Sequence, residues 1–99
     1  MTTLHIEHPV TDFGTWKQAF DGFAALRRSA GVRAHVVRRP VDDPRYVLID
    51  LDFDSTADAA AFLEVLRRRI WALPANSPAL DGEPITRLLT TVDAASSAP

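Results

Sequence analysis

The chain has no cysteine among its 99 residues. Disulfides, thiolate zinc sites, iron–sulfur clusters and thiol nucleophiles are thereby excluded. Lysine is almost missing as well. Lys17 is the only one, and the other ten of the 11 basic residues are arginine. No apolar run reaches the ~18 residues a membrane-spanning helix needs. No basic segment followed by an apolar stretch opens the chain, so the expected location is cytoplasmic. Nor is there an excess of one charge, since 13 acidic against 11 basic side chains leave a net charge of -2. That balance gives no general attraction to nucleic acid or to an anionic membrane surface. Nucleophile elbow, phosphate loop and dinucleotide fingerprint are all absent, which argues against the usual hydrolases, kinases and nicotinamide enzymes.

What is present is an ordinary globular composition, 46% hydrophobic and 24% charged. One domain is expected over residues 1–93, followed by a small polar tail, 94–99, expected to be disordered. Folding at this length buries about 65% of the unfolded surface. The core is therefore modest, and the chain must manage with it or share a surface with a second copy.

Residues 3–8 alternate, with Leu4 and Ile6 on one side and His5 and Glu7 on the other, as in a strand with one buried face. Asp12 is placed as an N-cap. Behind it Phe13, Trp16, Phe20, Phe23 and Ala24 form an apolar stripe, which predicts one helix over 12–29 ending near Gly31. A second alternating segment, 32–39, leads through the turn-forming stretch 40–44 into a third, 46–53, so the two form a hairpin. Ser55 and Asp58 make a capping box. Ala59, Phe62, Leu63, Leu66 and Ile70 then form the stripe of a second helix, with Trp71 off that stripe and Pro74 as its stop. Residues 72–84 are a long irregular connection, and 85–92 reads as a fourth strand in which neither face is clearly the core face.

The order β-α-β-β-α-β predicts a ferredoxin-like α+β domain: a four-stranded antiparallel sheet with two helices on one face. Val32, Ala34 and Val36 are expected to join the apolar face that the helices cover. The opposite face then gathers His5, Glu7, Tyr46, Leu48, Asp50 and Asp52, with His35, Arg33 and Arg39 from the second strand. Such a face is ordinarily solvated. If it is enclosed, two imidazoles and several carboxylates cannot all keep ordinary pKa values, and the cluster becomes a candidate site. His5 and His35 are the proton-moving candidates, with Glu7 and Asp50 to orient or tune them. The competing reading is that the same groups simply pair with one another. An RNA-binding sheet would need aromatic rings on the central strands, and Tyr46 is the only one offered there. His5, Glu7 and His35 are metal-ligand types, but alternation alone generates their spacing, so no metal is expected.

Three stretches carry a family resemblance: "DFGTWKQAFDGF" in the first helix, "AGVRAHVVRRPVDDPRYVLIDLDFDS" through the hairpin and "AAAFLEVLRRRIW" in the second helix. Together with the element order over residues 3–93, they resemble the dimeric α+β barrel superfamily. The pattern is close to the antibiotic-biosynthesis-monooxygenase-like branch and resembles small actinobacterial members often labelled hypothetical protein or cyclase. The resemblance implies a homodimer in which two sheets pair face to face around a cavity. It further implies a small aromatic or polyketide-type ligand, with cofactor-independent cyclisation, isomerisation or oxygenation as the activity and no bound cofactor. Trp16, Tyr46, Trp71 and Leu89 are the expected cavity walls. A binding protein without catalysis is the alternative.

Overall fold

A computed structural model describes residues 1–97 of the chain. The tail expected over 94–99 thus falls partly outside the described residues. The chain runs β1 (Thr2–Pro9), α1 (Phe13–Gly22), α2 (Ala24–Ser29), β2 (Ala34–Arg38), β3 (Tyr46–Phe53), α3 (Thr56–Val65) and β4 (Ile85–Thr90). The strands form one antiparallel sheet in the order β2-β3-β1-β4. The helices lie on one face of it, as the ferredoxin-like pattern requires. Among the described residues no helix is long and apolar enough to cross a membrane.

Alternation in the two central strands does most of the sorting. Leu4 and Ile6 on β1, with Val47, Ile49, Leu51 and Phe53 on β3, are buried beneath the helices. Ala59, Phe62 and Leu63 of α3 cover them, and Phe53 meets Phe62 with ring centroids 5.9 Å apart. Both predicted N-caps are made. The Asp12 carboxylate accepts the Thr15 N–H at 2.9 Å, and the Ser55 hydroxyl accepts the Asp58 N–H at 3.1 Å. Gly31 adopts φ 94°, a conformation that favours a residue without a Cβ.

Three expectations change. The helix predicted over 12–29 is two helices. Asp21 and Gly22 are poor helix formers, and the Phe23 N–H bonds back to the Phe20 carbonyl at 3.2 Å, a three-residue closure that tightens and ends the turn. The helix begins again as α2 at Ala24.

The second helix widens at its end. Residues Leu66–Ile70 form a π-helical turn, closed by the Trp71 N–H on the Leu66 carbonyl at 2.7 Å. Five residues per closure bring Trp71 round above Leu66. A regular wheel instead sends it to the opposite side.

The second strand faces the other way from the prediction. Val36 pairs with Asp50 and His35 with Leu51. Directly opposed residues share a face, so Ala34, Val36 and Arg38 lie on the outer face, and His35 and Val37 lie toward the helices. The segment offers adjacent valines, one to each face. Val37 packs on the core, and Val36 stays 42% exposed. The fourth strand, open in the sequence, turns Thr86, Leu88 and Thr90 toward the helices and Ile85, Arg87 and Leu89 outward.

Candidate functional site

The outer face holds four of the predicted residues together. His5 and Asp50 are opposed across β1 and β3. His5 Nδ1 lies 2.7 Å from Asp50 Oδ1, and its Nε2 lies 2.7 Å from Glu7 Oε2. The Tyr46 hydroxyl donates to Glu7 Oε1 at 2.7 Å, and Arg38 donates to Asp50 Oδ2 at 3.3 Å. A ring held between two carboxylates donates from both nitrogens and is therefore an imidazolium. Partial burial pulls the His5 pKa down, but the hydrogen bonds and charges of Glu7 and Asp50 outweigh it and raise it above 6.5. Glu7 is held below the usual carboxylate range by His5 first and Tyr46 second. The Tyr46 phenol is pushed up, chiefly by donating to Glu7. This is a closed ion network. No lone pair on His5 is left for a substrate.

The other predicted residues lie elsewhere. His35 faces the helices, edge-on to Phe20 with centroids 5.3 Å apart, and β3 separates its strand from that of His5. Leu89 is on the outer face opposite Thr3 and is 40% exposed. Trp16 and Trp71 are on the helix side. Among the described residues no group of three or more His, Asp and Glu is placed to hold a metal ion.

Trp16 and Trp71 instead wall a cavity inside the protomer, between the sheet and the helices. Its floor is Ile6, His8, Ile49 and Leu51 of the sheet. Trp16 and Phe20 of α1 form one side, stacked with centroids 5.1 Å apart. Phe62, Leu66, Ile70 and Trp71 form another, so the π turn is what delivers Trp71 to it. The long connection closes a third side with Asn76, Ser77 and Leu80. It is tied down by a Val10–Leu80 bridge and by the Asn76 amide donating to the Arg69 carbonyl at 2.7 Å. The space open to the centre of a water-sized sphere is about 70 Å³. At ~10–15 Å³ per water centre that is a handful of waters, about one six-membered ring.

Two polar groups in this apolar space were not foreseen. His8 is 1% exposed. Its Nδ1 lies 2.8 Å from the Pro9 carbonyl oxygen, so Nδ1 carries the proton and Nε2 keeps its lone pair. No protein donor reaches Nε2, yet no buried polar side-chain atom lacks a partner among the described residues. Nε2 therefore opens on the cavity. Burial lowers the His8 pKa, more than the bond to Pro9 raises it, and the ring is neutral. Trp16 holds it edge-on, at 6.1 Å between centroids. Arg27 of α2 is the second group, 7% exposed. The sequence carried a signal for both. His8 shares the parity of Leu4 and Ile6, and Arg27 follows Phe23 by four on the stripe Phe13–Trp16–Phe20–Phe23.

No family model matches the chain, and no curated protein matches it. Solved structures do. The cofactor-independent oxygenase SnoaB from Streptomyces nogalater superposes with a TM-score of 0.71 at 18% identity, covering 94% of this chain and 94% of that one. It is their fold that this chain has. A protein described as an antibiotic biosynthesis monooxygenase gives 0.67 at 11% identity, over 94% of this chain and all of the other. A dimeric ferredoxin-like protein from an uncultured marine organism gives 0.67 at 11%, over 95% and 97%. The neighbours are thus antibiotic-biosynthesis-monooxygenase-like proteins of ferredoxin fold, the group the sequence resembles.

Proposed function

We propose that the chain binds a small aromatic molecule in the cavity between sheet and helices and moves a proton on it with His8. One observation carries this reading: a buried, neutral imidazole whose Nε2 has no protein partner and opens on an apolar space walled by two tryptophans. A neutral imidazole there accepts a proton from a ring hydroxyl or an acidic C–H, and the apolar walls exclude competing water. The chemistry that follows is cyclisation or isomerisation of the resulting anion, or its oxygenation with dioxygen as the oxidant and oxygen source. SnoaB, described as a cofactor-independent oxygenase, shares the fold and makes oxygenation reasonable.

The working form is a homodimer through the outer sheet faces. Val36, Leu48, Ile85 and Leu89 supply apolar contact there, with Ile85 57% exposed. The His5–Glu7–Asp50–Tyr46 network is internally satisfied, so covering it strands no polar group. A neighbour described as a dimeric ferredoxin-like protein supports a dimer, and the choice of face rests on the residues above. His5 and its carboxylates then serve the interface and leave the chemistry to His8.

A thermal-shift titration with single-ring phenols tests the site. Saturation near 100 times Kd stabilises by about 2.7 kcal/mol. The rise in melting temperature is expected to survive His5→Ala and to be lost in His8→Phe. In that variant the Pro9 carbonyl still accepts the Asp81 N–H at 3.2 Å, so the fold has no orphaned acceptor. Loss in His5→Ala with retention in His8→Phe contradicts the reading.

A further inference from the structure

Arg27 is a buried cation without a carboxylate. Its Cζ lies 3.7 Å above the Phe20 ring centre, and one guanidinium N–H donates to the Phe20 carbonyl at 2.6 Å. That is the one hydrogen bond it makes among the described residues, although a guanidinium has five N–H donors. The bond caps the C-terminal end of α1, a structural duty that one donor fulfils. The nearest acid felt by Arg27 is Asp21, and its carboxylate is already bonded to Lys17 at 2.6 Å. Burying a charge with no counter-ion is costly, and proteins rarely leave one so placed.

The remaining donors do not end in the packed core, because no buried side-chain nitrogen is left unsatisfied among the described residues. Arg27 borders two spaces. One is the cavity of His8 and the tryptophans. The other is a depression between α2 and β2, lined by Arg28, Arg33 and His35 as well. Arg33 is spent on Asp54, at 2.9 and 2.6 Å. No acidic side chain lines either space. The lining is therefore basic on one side of Arg27 and aromatic on the other.

We propose that the cavity selects an aromatic acid: a ring held among Trp16, Phe20 and Trp71, with a carboxylate that supplies the counter-ion Arg27 lacks. The ligand class deepens the function proposed above and rests on the same cavity. His8 Nε2 is an acceptor and Arg27 a donor and cation, so one ligand carrying both a hydroxyl and a carboxylate satisfies both. An anion gains a charge-assisted bond to Arg27 that a neutral isostere does not.

Benzoate and benzamide are the probes, since they share a ring and differ in charge. Tryptophan fluorescence and the His8 imidazole NMR signal report binding. The unaltered chain is expected to bind benzoate at least about tenfold more tightly than benzamide, the scale of one charge-assisted bond. Arg27→Met is expected to remove that preference while benzamide still binds. Arg27→Lys keeps the charge and is expected to keep a weaker preference, which covers the case of an unfolded Arg27→Met. Equal binding of the two probes by the unaltered chain overturns the acid selectivity and leaves the cavity standing as a neutral site. A preference that persists in folded Arg27→Met overturns the role of Arg27. No binding of either probe, with the His8 signal unmoved, overturns this inference together with the proposed function.

Discussion

His5 and His8 stand three residues apart on one strand and therefore face opposite sides of the sheet, in opposite electrostatic surroundings. His5 is clamped between Glu7 and Asp50 at 2.7 Å on each nitrogen. His8 is buried among apolar groups with only the Pro9 carbonyl as partner. The first pKa is raised and the second lowered from the same 6.5. An NMR titration is expected to show one imidazole titrating above 6.5 and another below it. Coincident curves for the two contradict the assignment.

The same pair pulls the pH dependence of stability in opposite directions. His5, with its raised pKa, contributes stability that is present below pH 6.5 and is lost as pH rises through its folded value. His8, with its lowered pKa, contributes stability that is present above 6.5 and is lost as pH falls through its folded value. In His8→Phe the His5 contribution remains, so urea midpoints are expected to fall as pH rises past 6.5. Asp50→Asn removes one clamp. It is expected to lower the His5 pKa and cost on the order of 1 kcal/mol at pH 6, the worth of one hydrogen bond to a charged group partly open to water. A His5 curve unchanged in Asp50→Asn argues against the network.

The π turn accounts for Trp71. Deleting Arg68, an exposed residue of that turn, restores a regular helix and swings Trp71 off the cavity. In a Trp16→Phe background, which leaves Trp71 as the only indole, emission is expected to move to longer wavelength. Benzoate should then no longer perturb it. An unchanged spectrum contradicts the role given to the turn.

The homodimer predicts a light-scattering mass near twice 10.9 kDa. Ile85→Asp places an uncompensated charge at the most exposed apolar position of the outer face and is expected to give a single-protomer mass. The cavity lies within one protomer, so ring binding is expected to survive that dissociation. A monomeric mass for the unaltered chain removes the dimer and leaves the cavity argument intact.

Much of this was legible in the sequence, for identifiable reasons. β1 and β3 are central strands with strict alternation, so parity alone brought His5, Glu7, Tyr46 and Asp50 to one face. The same rule misled at β2, where Val36 and Val37 are adjacent and pattern cannot choose between registers. His35 went to the wrong side with them. The break at Phe23 and the widened turn at Leu66–Ile70 are departures from the 3.6-residue period, and a helical wheel assumes that period. Trp71 was therefore sent to the wrong side of its helix, and α2 was missed. His8 and Arg27 occupied apolar positions of correct patterns. A polar residue at such a position is the sequence signal that marks the interior site, and it is weaker to the eye than a cluster of charges on an open face.

The central claim is that small molecules bind inside the protomer and not on the outer sheet face. The most direct measurement is a side-chain NMR map during titration with benzoate, following the imidazole signals of His5 and His8 and the two indole N–H signals. The account predicts that His8, Trp16 and Trp71 shift together with one saturation curve while His5 stays fixed. Movement of His5 and the Tyr46 ring with His8 unmoved would contradict it.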